Sequence, residues 1–368
     1  MVNIDLEIKG VKAEIEGDNF ILEAEEPLKV LSSAVFNGGL KKAYTIINHQ
    51  VKEESFIVRP RVYLKNLVKR LHLKEPVIGL MTGVKMSNLR FSFKSFNDVN
   101  LYVFLTAGLS YPANAGDEIN LEGNLEKTST INIIALIDAR LTDSCLVNSV
   151  KTLTEAKTYQ LKALDIRSKF SNKVATGTTS DAIALACTNK GKIIEYAGSA
   201  TPLGKNLANA CKEALKEAIL AQNKIKSDRS ILERLKERGI ELKDLVDAGL
   251  ELYHPKGEIK REEFESELMK ALEDYNVSSL ILAGLRLDED LEENLIPNLK
   301  NDPLSLVSDE SLGWALSNYL AGTWGVYNFL YYDRNKPQRI KKMGSFTDDV
   351  LLALIAGTLS KIRLRRFD

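Results

Sequence analysis

Two acidic pairs stand near the C-terminus, Asp309-Glu310 and Asp348-Asp349, with Asp333-Arg334-Asn335-Lys336-Pro337 between them. Each pair opens an apolar stretch that reads as a helix. Four carboxylates gathered by folding would make a divalent-cation site, and a neighbouring Lys and Arg would suit a phosphate. That combination is the chemistry of metal-dependent phosphate-ester hydrolysis. The structural alternative is that acidic residues in a first helical turn only complement the helix dipole. Ser308 is placed to cap the helix opening at Asp309, and Ser345 or Thr347 the helix carrying Asp348 and Asp349. Other features weigh against the dipole reading alone. Glu310, Gly313 and Trp314 share a helical face, and Gly313 admits a close neighbour. Lys336 precedes Pro337, which favours extended backbone, so one loop presents a cation and a carboxylate.

The N-terminal half offers a different chemistry. Gly, Ser, Thr and Asn crowd four stretches: Leu31 to Gly39, Thr106 to Ser110, Thr154 to Lys157 and Ala175 to Asp181. Asn37-Gly38-Gly39 and Thr176-Gly177-Thr178 tolerate positive φ and expose backbone N–H groups, which can hold an oxyanion or bind amide and phosphate oxygens. Their bland reading is tight turns. Gly198 to Lys205 departs from a P-loop, with five residues between its glycines and Asn206 after the lysine, so an ATP site is rejected.

These residues need elements to carry them. Residues 1–225 hold short β-branched or aromatic runs, among them Phe20–Ala24, Tyr44–Ile47, Val77–Met81, Leu101–Leu105 and Ile131–Ile137. Helical spacing over Asp143–Leu164 and Leu207–Ala221 is interleaved with them. This predicts an α/β (α+β) layered domain. A charged segment at Asn223 to Arg229 marks the boundary. Residues 226–368 read as a small all-α domain, with helices predicted at 230–238, 242–253, 262–275, 309–319, 325–332 and 347–362. Asp288-Glu289-Asp290 continues into an acidic run and reads as a solvated turn.

The chain has 368 residues, length for about two domains. Lys+Arg and Asp+Glu both number 50, so there is no phosphate-neutralising excess and nucleic acid is not an expected partner. Cys145, Cys187 and Cys211 lie far apart, against a zinc site or a disulfide framework. The N-terminus lacks a signal layout, and the longest apolar run, Val350–Leu359, is about half a membrane span. A soluble cytoplasmic protein is expected. His254 reads as surface and His72 as a solvated helix end.

Residues from Ile240 to Ile362 resemble the phosphatidylglycerophosphatase A family. The motifs are Ala283 to Asp288, Ser308-Asp309-Glu310-Ser311-Leu312-Gly313, Asp333 to Pro337 and Phe346-Thr347-Asp348-Asp349. Without membrane spans the chain is more similar to the soluble branch, which includes α-ribazole-phosphate phosphatases. The resemblance implies one or two Mg²⁺ held by Asp309, Glu310, Asp348 and Asp349, phosphate neutralised by Lys336 with Arg334, and Asp333 as ligand or base.

Residues from Leu31 to Ala221 resemble the adenosylcobinamide amidohydrolase family. The motifs are Ser32-Ser33 with Asn37-Gly38-Gly39, Gly79 to Thr82, Thr106 to Leu109, Thr130 to Ile134, Thr154 to Lys157, and Ala175 to Thr178 with Asp181. In one departure, Ala200-Thr201 stands where the family commonly has His-Thr. Ile131 through Asp181 is also similar to the aminopeptidase family that includes β-peptidyl and D-aminopeptidases, whose fold is an αββα sandwich. The amidohydrolase resemblance implies cleavage of the amide that joins the aminopropanol arm to the corrin ring of adenosylcobinamide, leaving adenosylcobyric acid. Amide cleavage needs a nucleophile, an oxyanion site and an acid. His49 is one candidate base, although a lone His near a strand end is more often structural. Ser32, Ser33 and Thr178 are candidate nucleophiles, and Asp181 and Glu155 candidate acids.

Together the resemblances imply a bifunctional cobalamin salvage enzyme acting on adenosylcobinamide and α-ribazole 5′-phosphate. Two alternatives compete: a C-terminal phosphatase for another ester such as a lipid head group, and a non-catalytic corrinoid-binding N-terminal half, given Ala200. A homo-oligomer is compatible with either.

Overall fold

The computed structural model describes all residues except 52–58, 121–129, 255–258, 298–305 and 367–368. The chain divides into two compact units, Met1–Ser227 and Asp228–Asp368. The first is a curled sheet with flanking helices, and the second is helical.

Unit 1 opens with β1 (Val2–Ile4), β2 (Val11–Glu16), β3 (Asn19–Ser32) and β4 (Gly39–Gln50), then α1 (Pro60–Arg70) and β5 (Val77–Thr82). β6 (Arg90–Phe96), β7 (Val99–Ala107), β8 (Pro112–Ala113), β9 (Ile131–Ile137) and β10 (Arg140–Leu141) precede α2 (Asp143–Ala163). β11 (Gly177–Thr178), β12 (Ala182–Cys187), β13 (Ile193–Ile194) and α3 (Pro202–Asn223) complete it. Nine strands form one sheet, ordered β1-β2-β3-β12-β9-β7-β6, with β4 and β5 continuing from β3. β12 and β9 run parallel, as do β4 and β5.

Strand alternation sorts the core into layers. In β9, Ile131, Ile133, Ala135 and Ile137 face the core with Leu153 of α2 and Leu207 and Leu215 of α3. Ile134 and Leu136 face the other way, with Phe20, Ile46, Ile78 and Phe104. Ile21 and Ile47 pack with Leu64 and Val68 of α1. The curl is deep enough that the Asn132 side-chain amide reaches the Met81 carbonyl at 2.9 Å, so the start of β9 meets the ends of β4 and β5.

Unit 2 contains α4 (Ile231–Lys236), α5 (Leu242–Leu252), α6 (Arg261–Leu272), α7 (Tyr275–Glu292), α8 (Ser308–Arg334), α9 (Gln338–Lys341) and α10 (Ser345–Leu364). α10 is the centre, with every residue from Phe346 to Ser360 buried. α8 breaks at Ala321 and Gly322, where Gly322 adopts φ +58. Its two arms double back: a Cβ on Gly313 would collide with the Phe329 ring, and one on Gly325 with the Ser317 carbonyl. Glycine at both positions lets the arms touch.

The helix at α7 runs through Asp288, which is buried rather than part of a solvated turn. Ser308 is the first residue of α8, not its cap, and Val307 stands in the cap position. Gly344, at φ +101, precedes α10. The cap for α10 comes from another helix, because Asp288 accepts from the Phe346 N–H at 2.9 Å and the Thr347 N–H at 2.7 Å. Those orphan N–H groups are satisfied by the buried Asp288 carboxyl, and they satisfy it in turn.

Candidate functional sites

In unit 1 the glycine- and hydroxyl-rich stretches converge on one end of the sheet. Thr178 and Asp181 lie just before β12, Thr130 just before β9, and Ser33 just beyond β3. Asp181 is the hub. Its Oδ1 accepts from the Thr178 hydroxyl at 2.5 Å, the Thr178 N–H at 3.1 Å and the Ile131 N–H at 3.1 Å. Its Oδ2 pairs with the buried ammonium of Lys157, which projects from α2. Gly177 lies across this pair, and a Cβ there would strike Asp181 Oδ2 and come within 2.8 Å of Lys157 Nζ.

Alongside lies a line of buried amides. Asn132 donates to Asn48 Oδ1 at 2.8 Å, and Asn48 donates to the Thr106 hydroxyl at 3.0 Å. Thr130 donates to the Ser180 carbonyl at 2.7 Å. Thr176 accepts from the Ala115 N–H at 2.9 Å, fixing the strand that leads to Gly177. Ser33 Oγ accepts from the Ile183 N–H at 3.0 Å, which ties the Ser32–Gly39 loop beside Asp181. In that loop Asn37 adopts φ +58 and Gly39 φ +95, while a Cβ on Gly38 would press within 2.5 Å of the Ala34 carbonyl oxygen. The loop, Arg61 and Lys65 of α1, and Lys41 line a cleft of about 570 Å³.

His49 is not brought to this cluster. Neighbours on a strand point to opposite faces, and it is Asn48 that faces the amides. His49 Nδ1 lies 2.7 Å from Asn19 Oδ1 and Nε2 lies 2.8 Å from the Tyr63 hydroxyl, so a neutral ring satisfies both. Burial pushes its pKa down. The candidate base is thus a structural histidine. Glu155 is exposed on α2, where it pairs with Lys151 at 3.5 Å. Ala200 is exposed and precedes α3, whose cap is Thr201. It follows β13, which pairs with β10 beyond the far end of β9. Seven strand residues at ~3.3 Å each separate that end from Asp181 by roughly 20 Å. The loop between β13 and Ala200 is tied to α2, where Thr152 donates to the Ala197 carbonyl at 2.7 Å and the Ala197 N–H donates to Asn148 at 2.8 Å.

In unit 2 the first turns of α8 and α10 meet. Ligand oxygens of Asp309, Glu310 and Asp349 all lie within 4.8 Å of one another. Lys336, in the loop after α8, pairs with Asp349 and with two further carboxylates, 2.7 Å from Asp349 Oδ1, 2.9 Å from Asp333 Oδ1 and 3.0 Å from Asp348 Oδ1. The Asp348 contact is ionic without hydrogen-bond geometry, which leaves Asp348 Oδ1, like Glu310 Oε2, buried without a hydrogen-bond partner. Arg334 is exposed at the end of α8, outside this cage.

Five carboxylates therefore face one ammonium. Burial, reinforced by Glu310, pushes the Asp309 carboxyl up to about 7. Burial pushes Asp348 up to about 8 although Lys336 opposes it. Asp349 is raised by burial as well. Burial disfavours the Lys336 charge, yet hydrogen bonds to Asp349 and Asp333 outweigh it and hold its pKa above the ordinary lysine range. An all-oxygen set with excess negative charge and an unpaired buried oxygen fits a hard divalent cation of the Mg²⁺ type.

Lys157 and the Asn48–Asn132 pair were missed as site residues. Asn48 and Asn132 carried a signal, as polar residues in runs otherwise apolar, whereas Lys157 stands in a polar stretch of helix; their partners lie 84 and 24 positions away.

This geometry gathers a hydroxyl, a carboxylate and an ammonium at one end of a curled sheet. Residues 6–227 match the family model described as CbiZ, adenosylcobinamide amidohydrolase. The match covers more than half of the chain, and the chain belongs to that family. An adenosylcobinamide amidohydrolase of Methanosarcina mazei is 29% identical over 196 residues, 51% of this chain and 88% of that protein. An uncharacterised protein of Methanocaldococcus jannaschii is 30% identical over 241 residues, 60% of this chain and 92% of that protein. The crystal structure of ypjQ from Bacillus subtilis is 26% identical and covers 38% of this chain and 93% of that one, with a TM-score of 0.34, too low to carry an argument. Among the described residues no helix is long and apolar enough to cross a membrane.

Proposed function

We propose that the chain carries two hydrolytic sites, an amidohydrolase for adenosylcobinamide in unit 1 and a metal-assisted phosphomonoesterase for α-ribazole 5′-phosphate in unit 2. The first reading is carried by the Thr178 hydroxyl, which already donates to Asp181. As the Thr178 oxygen adds to the amide carbon, its proton passes to Asp181, where it is available to the departing aminopropanol nitrogen. Water then releases adenosylcobyric acid from the resulting ester. Lys157 balances the Asp181 charge, and the Asn37–Gly39 loop offers N–H groups to the substrate. Thr178→Ala should abolish release of adenosylcobyric acid and Thr178→Ser should retain it. Equal activity of both variants would remove Thr178 from the chemistry.

The second reading is carried by Asp309, Glu310 and Asp349 meeting in a buried, over-charged cluster. When bound there, a divalent ion such as Mg²⁺ would supply Lewis-acid polarisation of the phosphoryl group and a more acidic water. Lys336 and Asp333 border the same space, the one to neutralise phosphate, the other to accept a proton. The choice of α-ribazole 5′-phosphate is supported by the company of the amidohydrolase unit. Phosphate release from α-ribazole 5′-phosphate and from phosphatidylglycerophosphate, each with Mg²⁺ and with EDTA, tests both parts. Metal-dependent release from the lipid alone would replace the substrate, and metal-independent release from either would remove the cation site.

A further inference from the structure

The second arm of α8 has two apolar faces, and the unit uses only one. Gly325, Phe329 and Tyr332 point inward and are buried. Trp324, Tyr327 and Tyr331, at three- and four-residue spacing, form a stripe on the outside with Leu330 beside it, 59%, 65%, 48% and 46% exposed. Trp314, on the first arm, is 56% exposed. No charged residue occurs from Ser311 to Tyr332. A helix that is apolar all round is ordinarily buried all round. We propose that this outer face is the contact between two copies of the chain, packed about a two-fold axis.

The area favours a second copy. With ~200 Å² for a complete aromatic side chain, the five exposed residues present roughly 500 Å² of apolar surface. A standard interface takes ~800 Å² from each partner, about 60% of it apolar, which is again roughly 500 Å². The chemistry agrees. A face without charge meets its own copy with no like charges opposed, and Trp and Tyr are enriched in interface cores. A helix lying on an anionic bilayer would carry Lys or Arg on its flanks, and both arms lack them between Ser311 and Tyr332. Two α8 hairpins laid together would form four antiparallel arms, a packing that helices of this length readily adopt.

Trp314 and Trp324 are the only tryptophans in the chain, so fluorescence reads this face directly. Light scattering of the full chain should give twice the 41.0 kDa chain mass. On dilution to the single mass, tryptophan emission should shift to the red and acrylamide quenching should rise. The Trp324→Glu/Tyr327→Glu variant should have the single mass at all concentrations, while Tyr275→Glu, at an exposed aromatic on α7, should keep the double mass. Emission needs no variant, so the proposal stays testable if the double variant misfolds. A single mass for the wild type, a double mass that survives the double variant, or emission that ignores the mass change would each overturn it. So would a monomer whose emission shifts to the blue on vesicles of phosphatidylcholine and phosphatidylglycerol, which would assign the face to a bilayer.

Discussion

Replacing Asp309 by Asn should stabilise the metal-free protein at pH 8 and remove its response to divalent cations. The Asp309 carboxyl is raised from 3.8 to about 7 by burial and by Glu310. The folded state therefore binds a proton that the unfolded chain has already released. Stability linked to this group is whole below the unfolded value, near pH 4, and is lost as pH rises through about 7. Asp348, raised to about 8, acts in the same direction. A shift of roughly 3 units corresponds to ~4 kcal/mol at 1.36 kcal/mol per unit. Sharing of protons with Glu310 and partial solvent screening reduce this to about 2 kcal/mol. Asn has no charge to desolvate, so in EDTA at pH 8 the variant should unfold about 2 kcal/mol later, ~5 °C in Tm. In the wild type, Mg²⁺ at a hundredfold its Kd should add ~2.7 kcal/mol. The variant, short of one ligand, should gain little.

Urea denaturation followed by circular dichroism, in EDTA and in Mg²⁺, at about pH 5.5 and about pH 8, separates these effects. Glu267 and Asp274 have lowered values and lose their stabilising share only in more acid solution, outside this window. The reasoning fails if EDTA-treated wild type is equally stable at both pH values and the Asn variant tracks it.

Three further outcomes follow from particular contacts. Lys157→Met leaves Asp181 without its counter-charge, and should lower kcat for amide cleavage by about 10² or more while phosphate release in unit 2 is unchanged. Gly177→Ala drives a methyl into the Lys157–Asp181 pair; urea titration should show a loss of about 1–3 kcal/mol, and the amide-cleavage assay a parallel fall. Asp288→Ala removes the acceptor for two N–H groups at the start of α10. That should cost about 1–2 kcal/mol in the same titration and weaken Mg²⁺ binding by calorimetry, because Asp348 and Asp349 ride on that turn.

The division into a sheet-bearing half and a helical half was legible because strand and helix periods differ. The joining of the Asp309 and Asp348 helices was legible only as a chemical argument about carboxylates. What stayed hidden depended on partners distant in sequence. Asp288 reads as part of an acidic, solvated run until the first turn of α10 is seen to lie over it. Lys336 reads as a phosphate anchor, yet it holds three carboxylates. His49 and Asn48 differ in role only through the face each takes in β4, and the choice between them is made by the curl that brings Asn132 to Asn48. The helix predicted at 262–275 matches α6 and ends where Asp274 caps α7, an 18-residue helix that no predicted helix covered.

The two sites solve the same electrostatic problem in opposite ways. In unit 1 one half-buried carboxylate, Asp181, faces one buried ammonium, Lys157, and backbone N–H groups complete its coordination. The charges cancel within the protein. In unit 2 the Lys336 ammonium serves Asp333, Asp348 and Asp349, while Asp309 and Glu310 press on Asp349 and, among the described residues, have no cation of their own. Burying such an excess is costly unless protons or a metal ion neutralise it. The raised values of Asp309 and Asp348 are the proton solution. A divalent cation is the other, and it alone leaves the carboxylates charged at neutral pH. The imbalance, more than the count of acidic residues, is what supports the proposed cation site over a decorated helix terminus.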